Sequence, residues 1–421
     1  MITNHRIVKE KGDPLTSSTP PNSADARLPA MAGIKVVEFA HVIAGPLAGT
    51  LLADLGADVV HVEDPTAGDP GRLQGPAKDG AHLWWKVSAR NKRSVTLNLR
   101  TEEGQAIAHD LVRWADVVIT NVRVNTLAKW GLDWATLHAL KPTLVMLQIT
   151  GNGAETSARN DPGFGKVGEA RSGVVYVTGF PDGPPVHTGF SHADAVTALM
   201  GAFAISAALV RRNDPDFDGE WIDLALFESL YRLVEWQVIF YDQLGTTPER
   251  AGNQLAVSPG AVINTYLSAD GVWITVTSGT PRSVQNIAAL LDEPADQYLT
   301  VPDQLARRDR LDQLLHDWVG RHPADECLAK MAELEVVASR IFSVADIVDD
   351  PIYAERDDIV TVDDPELGPV RMQAVVPKLH SRPGTVWRTG PALGADNDAV
   401  YGDWLGMAED RLAELHKAGV I

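Results

Sequence analysis

One aspartate stands at the edge of a long run of small apolar residues. In the stretch HTGFSHADAVTALMGAFAISAALV, residues 187–210, Asp194 is the only acid, and no further charge follows until Arg211. A carboxylate there could cap a helix, because an oxygen before an apolar helical run ordinarily accepts a backbone N–H. It could also act as a nucleophile, since an aspartate with a pKa near ~3.9 is ionised at neutral pH. The residues alone favour the cap.

A second candidate site is the basic segment KVSARNKRSVTLNLR, residues 86–100. It holds five Lys or Arg residues and no acid. Clusters of this kind are often solvated surface patches. In a chain whose net charge is −19, however, a concentrated positive site favours an anionic ligand. The residues leave both interpretations open.

The third candidate is the segment HVIAGP, residues 41–46, between a predicted strand and a predicted helix. Gly45 and Pro46 fit a turn followed by proline at the first helical position, so the segment is a structural loop unless a ligand approaches its backbone. Two histidines, His41 and His192, lie beside these candidates. For both, a structural or surface role is favoured over contact with a substrate.

Alternating strand and helix patterns position the candidate residues. Apolar runs rich in β-branched residues predict strands at 33–40, 58–63, 94–99, 116–120 and 143–149, and helical spacing predicts helices at 45–57, 102–114 and 125–139. The short links between them indicate parallel strands and an open doubly wound α/β sheet. Such sheets bind ligands at the carboxyl ends of their strands.

The chain changes character near Asp223. Residues 221–245 have the pattern of a strand followed by one long helix. Residues 260–279 predict two strands joined at Ala269-Asp270-Gly271. Helices follow to about Met331, and a mixed tail ends in a helix at 409–418.

Composition excludes several classes of protein. The 421 residues are 45% hydrophobic, which is enough for a large core and predicts two domains. The net charge of −19 argues against a nucleic-acid partner. The single cysteine, Cys327, excludes an intramolecular disulfide, and zinc-type clusters are absent from the sequence. The apolar run 198–210 is too short to span a bilayer, and residues 1–30 lack a signal-peptide core. We therefore expect a cytoplasmic protein with no membrane partner.

The order and spacing of several stretches resemble the class III CoA-transferases, a family that includes formyl-CoA transferase and shares its fold with α-methylacyl-CoA racemase. The matching stretches, spread over residues 33–421, are GIKVVEFAHVIAGPLAGTLLADLGADVVHVE, NKRSVTLNLRTEEG, ADVVITNVRVNTLAKWGL, TGFPDGPP, Asp194 with its helix, DGEWIDLALFESL, DGVWITV and LHKAGVI.

The resemblance implies an assembly that composition cannot show, in which two subunits form open rings interlinked like links of a chain. It also implies a division of the chain. Residues 31–227 would be the CoA-binding part of a large Rossmann-like domain, 228–330 a smaller inserted α+β domain, and 331–421 the part that completes the large domain. Residues 1–30 are polar and rich in Pro and Ser, and we expect them to form a disordered extension.

The resemblance also assigns the chemistry. Asp194 lies nine residues after GPP of GFPDGPP, at the position of the family's nucleophilic aspartate. It would attack an acyl-CoA to give a mixed anhydride and then an aspartyl-CoA thioester, from which CoA passes to a free carboxylic acid. CoA is thus a substrate. No tightly bound cofactor and no metal is expected, and the expected protein partner is a second copy of the chain.

By family position, eleven residues approach CoA: His41, Val42, Ile43, Ala44, Leu97, Asn98, Arg100, Asn121, Val122, Arg123 and Lys129. The chain departs from formyl-CoA transferase at two of these positions and at Asp64. Lys129 replaces an arginine near the phosphates, Asp64 replaces a CoA-contacting arginine, and Ile43 replaces a glutamine. A loop that closes over the site through a run of glycines corresponds to residues 253–265, where only Gly260 remains.

Two rival functions remain. A racemase needs two acid/base groups flanking the carbon next to the thioester. That branch carries an aspartate where this chain has Gly165 and a histidine upstream of it, whereas no histidine lies between His138 and His187 here. A non-catalytic CoA-binding protein would keep a basic site but would not need Asp194.

Overall fold

The computed structural model describes residues 28–421, so the predicted extension over residues 1–30 lies outside it except for its last three residues. The strands are β1 Lys35–Phe39, β2 Asp58–Glu63, β3 Ala77–Lys78, β4 Ala81–His82, β5 Arg93–Thr96, β6 Val117–Thr120, β7 Val145–Thr150, β8 Glu220–Ala225, β9 Ile263–Leu267, β10 Trp273–Thr277, β11 Val337–Arg340, β12 Ile359–Asp364 and β13 Gly368–Gln373. The α-helices are α1 Ala44–Asp54, α2 Leu83–Ser88, α3 Glu102–Trp114, α4 Val124–Trp130, α5 Trp134–Leu140, α6 Gly165–Arg171, α7 Val174–Val177, α8 His192–Val210, α9 Leu226–Leu233, α10 Trp236–Leu244, α11 Pro281–Leu290, α12 Val301–Val319, α13 Ala324–Glu333, α14 Val344–Asp349, α15 Pro351–Glu355 and α16 Glu409–Lys417. Short 3₁₀ segments at Pro70–Leu73 and Ala295–Tyr298 and a π-helical segment at Asp398–Trp404 accompany them.

Six parallel strands form the main sheet in the order β5-β2-β1-β6-β7-β8. Counted along the chain within this sheet, the order is 3-2-1-4-5-6, which is that of a Rossmann-type sheet. The predicted α/β fold with a large parallel sheet is therefore confirmed. The order reverses between β1 and β6, and the loops that follow these two strands meet there.

Alternating residues of the central strands supply two separate cores. In β1, Val36 joins one buried cluster and Val37 the other; in β6, Val117 and Val118 divide in the same way. Successive side chains of a strand point to opposite faces, so both faces of the sheet are covered. This explains why apolar residues occupy consecutive positions in these strands rather than every second position.

The carboxyl-terminal segment returns to the main sheet. Tyr401 and Leu415 belong to the same buried cluster as Val37. The Tyr401 hydroxyl donates to the Thr96 carbonyl at 2.8 Å, and the N–H of Asn98 donates to the Val420 carbonyl at 2.7 Å. These contacts fix the end of the chain beside the loop that follows β5.

A smaller antiparallel sheet has the order β11-β10-β9. The turn between β9 and β10 contains Gly271 at φ +80°, so the predicted hairpin at 269–271 is confirmed. Helices α11, α12 and α13 share one buried core with this sheet. The third strand, Val337–Arg340, lies past residue 330, where the sequence placed the end of the inserted domain.

Three expected elements differ in the structure. The helix predicted over 125–139 is divided into α4 and α5 by Gly131, which has φ +64°. The long helix predicted within 221–245 is two helices, α9 and α10. The strand before them, β8, is the edge of the main sheet, so the second region begins after that strand and not at Asp223.

Helix α8 is longer than the apolar run seen in the sequence. By length and composition alone it is the one helix in residues 28–421 that could cross a membrane. It packs along α1 and α9 and against β7 and β8, and a single helix of this kind does not indicate a membrane protein. Its outer face exposes Leu199 and Phe203.

Candidate active site

Asp194 lies in the first turn of α8, but it is not the cap of that helix. The N-cap is Ser191, whose side chain makes no capping hydrogen bond. Within residues 28–421 the Asp194 carboxylate has no hydrogen-bond partner at all, although it is largely shielded from solvent. The cap interpretation is therefore wrong, since a capping carboxylate accepts a backbone N–H.

The Asp194 carboxylate lies against the first residue of α6. A Cβ atom built on Gly165 would lie 2.0 Å from Asp194 Oδ2 and 2.7 Å from its Cγ. No side chain fits at position 165 unless the carboxylate moves. An aspartate at 165, which the racemase alternative requires, is thus incompatible with the present position of Asp194.

A second carboxylate, Glu169, is buried one turn further along α6, and sequence reasoning missed it. Its residue is 1% exposed. Both of its oxygens accept from Lys166 Nζ at 3.0 Å, one accepts from His187 Nδ1 at 2.6 Å, and the other accepts from the backbone N–H of His192 at 3.0 Å. The only sequence signal was its spacing of four residues from Gly165, which places both on one face of a helix.

The two carboxylates have opposite electrostatic environments. Burial raises the pKa of Asp194, the charge of Glu169 raises it further, and Lys166 lowers it, which leaves the pKa at about 6. Burial also acts to raise the pKa of Glu169, but hydrogen bonds from His187 and Lys166 outweigh it and hold that pKa below its usual range. The expectation of an unperturbed Asp194 is corrected. At neutral pH Asp194 is still mostly ionised, and it is poorly solvated, as an activated nucleophile is.

The loop 41–46 is held from both sides. Asn121 Oδ1 accepts the His41 N–H at 2.8 Å, and its Nδ2 donates to the His41 carbonyl at 2.7 Å. Asp69 accepts the Val42 N–H at 3.0 Å. Val42 has φ +66°, a conformation that is rare for a β-branched residue and is kept only where the surroundings impose it. Such residues concentrate at functional sites.

A buried charge network supports this loop. His61 donates from Nδ1 to Glu38 at 2.8 Å and from Nε2 to Asp69 at 3.1 Å. Burial acts to lower the pKa of His61, but hydrogen bonds to Asp69 and Glu38 outweigh it and raise the pKa to about 9. Burial acts to raise the pKa of Asp69, but the hydrogen bond from His61 lowers it to about 2. Asp69 is therefore a firm anionic anchor for Val42.

The basic segment 86–100 is not a single basic patch. Lys86, Arg90 and Lys92 are buried. Lys86 pairs with Asp364 at 3.0 Å, Arg90 with Asp54 at 2.6 Å, and Lys92 with Glu38 at 2.9 Å. Their charges are thus used inside the protein, because a buried cation has to be paired. The expectation of five cations facing one ligand is wrong for these three.

Arg100 is the exposed cation of this segment. Its Nη1 donates to Asp64 Oδ2 at 2.7 Å, and its side chain is 73% exposed. Burial acts to raise the pKa of Asp64, but the hydrogen bonds from Arg100 and two backbone N–H groups hold it below its usual range. Asp64 replaces a CoA-contacting arginine of formyl-CoA transferase, and its carboxylate pairs with Arg100 instead.

Four of the predicted CoA contacts line one cleft at the carboxyl ends of the central strands, together with Asp64 and with residues that the sequence did not single out. The lining residues are His41, Leu97, Arg100 and Val122, with Phe39, Val62, Glu63, Asp64, Leu99 and Trp130. The cleft lies where the strand order reverses, which is the usual ligand position in open α/β sheets.

Four other predicted CoA contacts, Asn98, Asn121, Arg123 and Lys129, are not among the residues that line this cleft. The side chains of Asn98 and Asn121 are used on backbone atoms, Asn98 on the N–H of Arg100 and Asn121 on His41. Arg123 and Lys129 lie exposed at the two ends of α4, and their side chains form no hydrogen bond or ion pair within the described range. Both cations are available to an anion near the cleft.

Val42 and Ile43 border a second, apolar cleft, and Ala44 begins α1 beside it. Phe190, Ser191 and Ala195 border the same cleft from the other side. Its volume is about 660 Å³, within the range of small-molecule sites. The cleft therefore joins the loop 41–46 to the turn of α8 that carries Asp194.

The segment expected to close over the site lies elsewhere in this chain. Residues 257–261 line a pocket with Thr280, Val301 and Gln304 in the region of the small sheet. They are not among the residues that border the cleft beside Asp194. The described residues also contain no group of three or more His, Cys, Asp or Glu side chains arranged to hold a metal.

Comparison with known proteins gives a consistent result. A family model described as CoA-transferase family III matches residues 31–397. The chain is 38% identical over 413 residues to the succinyl-CoA–D-citramalate CoA-transferase of Chloroflexus aurantiacus, which covers 97% of this chain and 100% of that protein. It is 34% identical to the succinate–glutarate CoA-transferase of Agrobacterium fabrum, over 78% of this chain and 84% of that protein. The crystal structure of a CAIB/BAIF family protein from Brucella suis superposes with a TM-score of 0.78 and 31% identity, covering 90% of this chain and 100% of that one.

Proposed function

The chain belongs to family III of the CoA-transferases, and we propose that it moves CoA from an acyl-CoA to a free carboxylic acid through a covalent intermediate on Asp194. The observation that carries this proposal is the state of that carboxylate. It is shielded from solvent and has no hydrogen-bond partner in the described range, and it stands beside a cleft that leads to the loop 41–46. A carboxylate held in this way costs stability, and its retention is explained by chemistry.

The reaction balances without a cofactor. An Asp194 oxygen attacks the thioester carbonyl, the C–S bond breaks, and the products are a mixed anhydride on Asp194 and free CoA thiolate. The thiolate attacks the aspartyl carbonyl and expels the donor acid, which leaves an aspartyl-CoA thioester. The acceptor carboxylate attacks this thioester and expels the thiolate again. The thiolate then attacks the acceptor carbonyl of the second anhydride, and the Asp194 carboxylate is regenerated.

Each of these attacks places negative charge on a carbonyl oxygen, which needs hydrogen-bond donors. The start of α1 borders the same cleft as the start of α8. The first N–H groups of a helix have no acceptor within it, and we assign those of Ala44 and Gly45 to this role. Asp69 and Asn121, which fix the preceding loop, would hold these donors in place.

We place the adenosine of CoA in the cleft lined by His41, Leu97 and Val122, with Trp130 available for stacking. The phosphates then face Arg100, Arg123 and Lys129. Because the ion pair with Asp64 occupies part of the Arg100 guanidinium, Arg100 has to break this pair or bind Asp64 and the phosphate at the same time. Lysine at 129 binds phosphate as a point charge without the bidentate geometry of arginine.

For the acids, we propose dicarboxylates of four or five carbons. The relatives named above act on succinyl-CoA with D-citramalate and on succinate with glutarate. The apolar cleft and Ile43 also favour an acid larger than oxalate. Rates with succinyl-CoA as donor and a panel of acceptors measure this directly, and a preference for oxalate would contradict it.

We propose that the chain functions as an interlinked homodimer whose inserted domain spans residues 228–340. Helix α10 has no buried residue, and it exposes Ile239, Tyr241 and Leu244, an apolar surface of the kind that marks an interface. Because residues 257–261 lie away from the cleft beside Asp194 in the same chain, we assign them to the site of the partner subunit. Sedimentation that detects a reversible monomer at micromolar concentration would refute this assembly.

The decisive experiment is the variant Asp194→Asn with chemical trapping. The amide has nearly the same size but cannot form an anhydride, so turnover should fall by orders of magnitude while CoA binding survives. In the wild type, hydroxylamine or borohydride added during turnover should modify Asp194, and mass spectrometry should locate the label there. Near-normal turnover by Asp194→Asn, with no deamidation to aspartate, would exclude the covalent route.

A further inference from the structure

Glu169 connects helix α6 with the chain segment that leads into Asp194. This buried carboxylate accepts from His187 at the start of that segment and from the His192 N–H at its end. Lys166, also on α6, donates to the carbonyls of Thr188 at 3.0 Å and Phe190 at 2.8 Å. The two side chains together bind the whole segment 187–192 to α6.

The same helix fixes the other side of the nucleophile, because Gly165 is its first residue and lies against the Asp194 carboxylate. One short helix thus determines both where the segment before Asp194 runs and how closely the carboxylate is packed. A displacement of α6 relative to 187–192 would move Asp194 relative to the cleft that Ser191 and Ala195 border.

Lys166 also affects the nucleophile, because its ammonium is the cation that lowers the pKa of Asp194. An ion pair between the two would neutralise the attacking carboxylate. The ammonium is instead taken up by both oxygens of Glu169 and by the two carbonyls. No hydrogen bond or ion pair between Lys166 and Asp194 is present in the described range.

We propose that Glu169 is a positioning residue for the transfer reaction. Its carboxylate holds segment 187–192 so that Asp194 faces the acyl group, and it retains Lys166 so that the lysine does not pair with the nucleophile. This inference rests on the proposed role of Asp194. It adds a second acid on which the reaction depends and which touches neither substrate.

Other charged groups on the elements packed against the start of α8 are engaged locally. On α6, Arg171 donates to Asn152 Oδ1. On α9, Glu228 accepts the N–H of Ala225 and Arg232 pairs with Glu235. On α1, Asp54 lies at the far end and pairs with Arg90. The histidines of the segment itself, His187 and His192, are joined to Glu169 through a ring nitrogen and a backbone N–H.

The test compares Glu169→Gln and Lys166→Gln by their pH profiles. Glu169→Gln removes a repelling charge and releases the lysine toward Asp194, so the acid limb of kcat/KM should move to lower pH and kcat should fall by about 10²-fold. Lys166→Gln removes the cation, so the acid limb should move to higher pH, with a smaller loss of kcat. KM for the acyl-CoA should stay within a few-fold of wild type in both variants.

Glu169→Asp and a remote variant supply the controls. The aspartate keeps the charge, so its acid limb should lie nearer to that of wild type than the limb of the glutamine variant does. Glu293→Gln, which breaks an exposed ion pair with Arg310, should change neither kcat nor the limb. If Glu169→Gln does not fold, the half-exposed Lys166 still allows the upward shift to be measured.

The outcomes separate the two proposals. Acid limbs that stay unchanged in both glutamine variants, or that move in the same direction, would overturn the role of Glu169 while labelling of Asp194 in the wild type leaves the covalent route intact. An active Asp194→Asn variant without label would instead overturn the covalent route itself. Loss of thermal stability with an unshifted limb would reduce Glu169 to a structural residue and contradict the inference.

Discussion

The substitution Gly165→Ala should remove most of the activity and leave the fold intact. A Cβ at this position would lie 2.0 Å from Asp194 Oδ2, whereas ordinary C···O contacts are no shorter than about 3.3 Å. The carboxylate therefore has to move by about 1.3 Å. The atom that yields is the end of a side chain, so the helices can stay in place. Alanine also has a higher helix propensity than glycine, so the backbone of α6 tolerates the change.

The kinetic cost follows from that displacement. A misplacement of about 1 Å between reacting atoms costs on the order of 10²-fold in rate, which corresponds to about 2.7 kcal/mol of barrier. Because Asp194 is displaced without touching the adenosine cleft, the loss should appear in kcat and not in KM for the acyl-CoA. Thermal stability should be equal to or slightly above that of wild type.

The assay is initial-rate CoA transfer followed by separation of the two acyl-CoA species, alongside thermal unfolding. The matched control is Gly189→Ala, because a Cβ at Gly189 meets nothing within 4 Å and the residue lies only five positions before Asp194. It should behave as wild type. A Gly165→Ala variant with activity within three-fold of wild type would refute the placement of the Asp194 carboxylate.

Two further predictions concern ionisation and CoA. The rate with wild-type protein should fall about tenfold for each unit of pH below about 6, because the pKa of Asp194 is about 6 and its protonated form cannot attack; a rate that stays level down to pH 4.5 would contradict this. Arg100→Ala should raise KM for the acyl-CoA, less so for a dephospho-CoA thioester if the 3′-phosphate is its partner, whereas Asp64→Ala frees Arg100 from its ion pair and should lower KM. Equal increases of KM in both variants would show that the ion pair itself supports the cleft.

The main sheet was predictable because its signal is local. Runs such as KVVEF and DVVHVE have adjacent valines that face opposite sides of the sheet, and Val36 and Val37 indeed pack into different cores. The helix breaks were less predictable. Gly131 terminates α4 through a left-handed conformation, and a glycine in an apolar periodic stretch is also compatible with a continuous helix.

The basic segment shows where sequence reasoning fails. Five cations within fifteen residues resemble a phosphate site, but the partners of three of them, Glu38, Asp54 and Asp364, lie far away along the chain. Which cations are buried depends on where distant carboxylates arrive, and only the fold determines that. The resemblance was more useful, because it placed His41, Leu97, Arg100 and Val122, which the fold brings to one cleft.

Glu169 was missed for a related reason. It lies 25 residues before Asp194, and a single glutamate on a short helix has the pattern of a solvated surface residue. Its burial follows from contacts with His187 and the His192 backbone. Neither contact has a sequence signature.

The final prediction is that Asp194→Asn is more stable than wild type at neutral pH, because the buried, ionised carboxylate destabilises the folded state. The rise of the pKa from an ordinary value of roughly 4 to about 6 means that the folded state binds this proton more tightly than the unfolded state. The resulting penalty is absent below pH 4, where the group is protonated in both states, grows between pH 4 and 6, and is complete above pH 6. The penalty amounts to about 3 kcal/mol at most. The favourable interaction of the carboxylate with the start of α8 reduces it by about 0.5 kcal/mol.

The asparagine variant lacks this penalty at every pH. Its melting temperature should therefore exceed that of wild type by several degrees at pH 7–8, and the two should converge as the pH approaches 4. The measurement is thermal unfolding of both proteins across this range at fixed protein concentration, since an oligomer melts in a concentration-dependent way. An inactive variant that gains stability in this way would show a carboxylate retained for chemistry at the expense of the fold. A variant that is less stable than wild type at pH 8 would show that the carboxylate makes stabilising contacts instead, and the nucleophilic assignment would lose its physical basis.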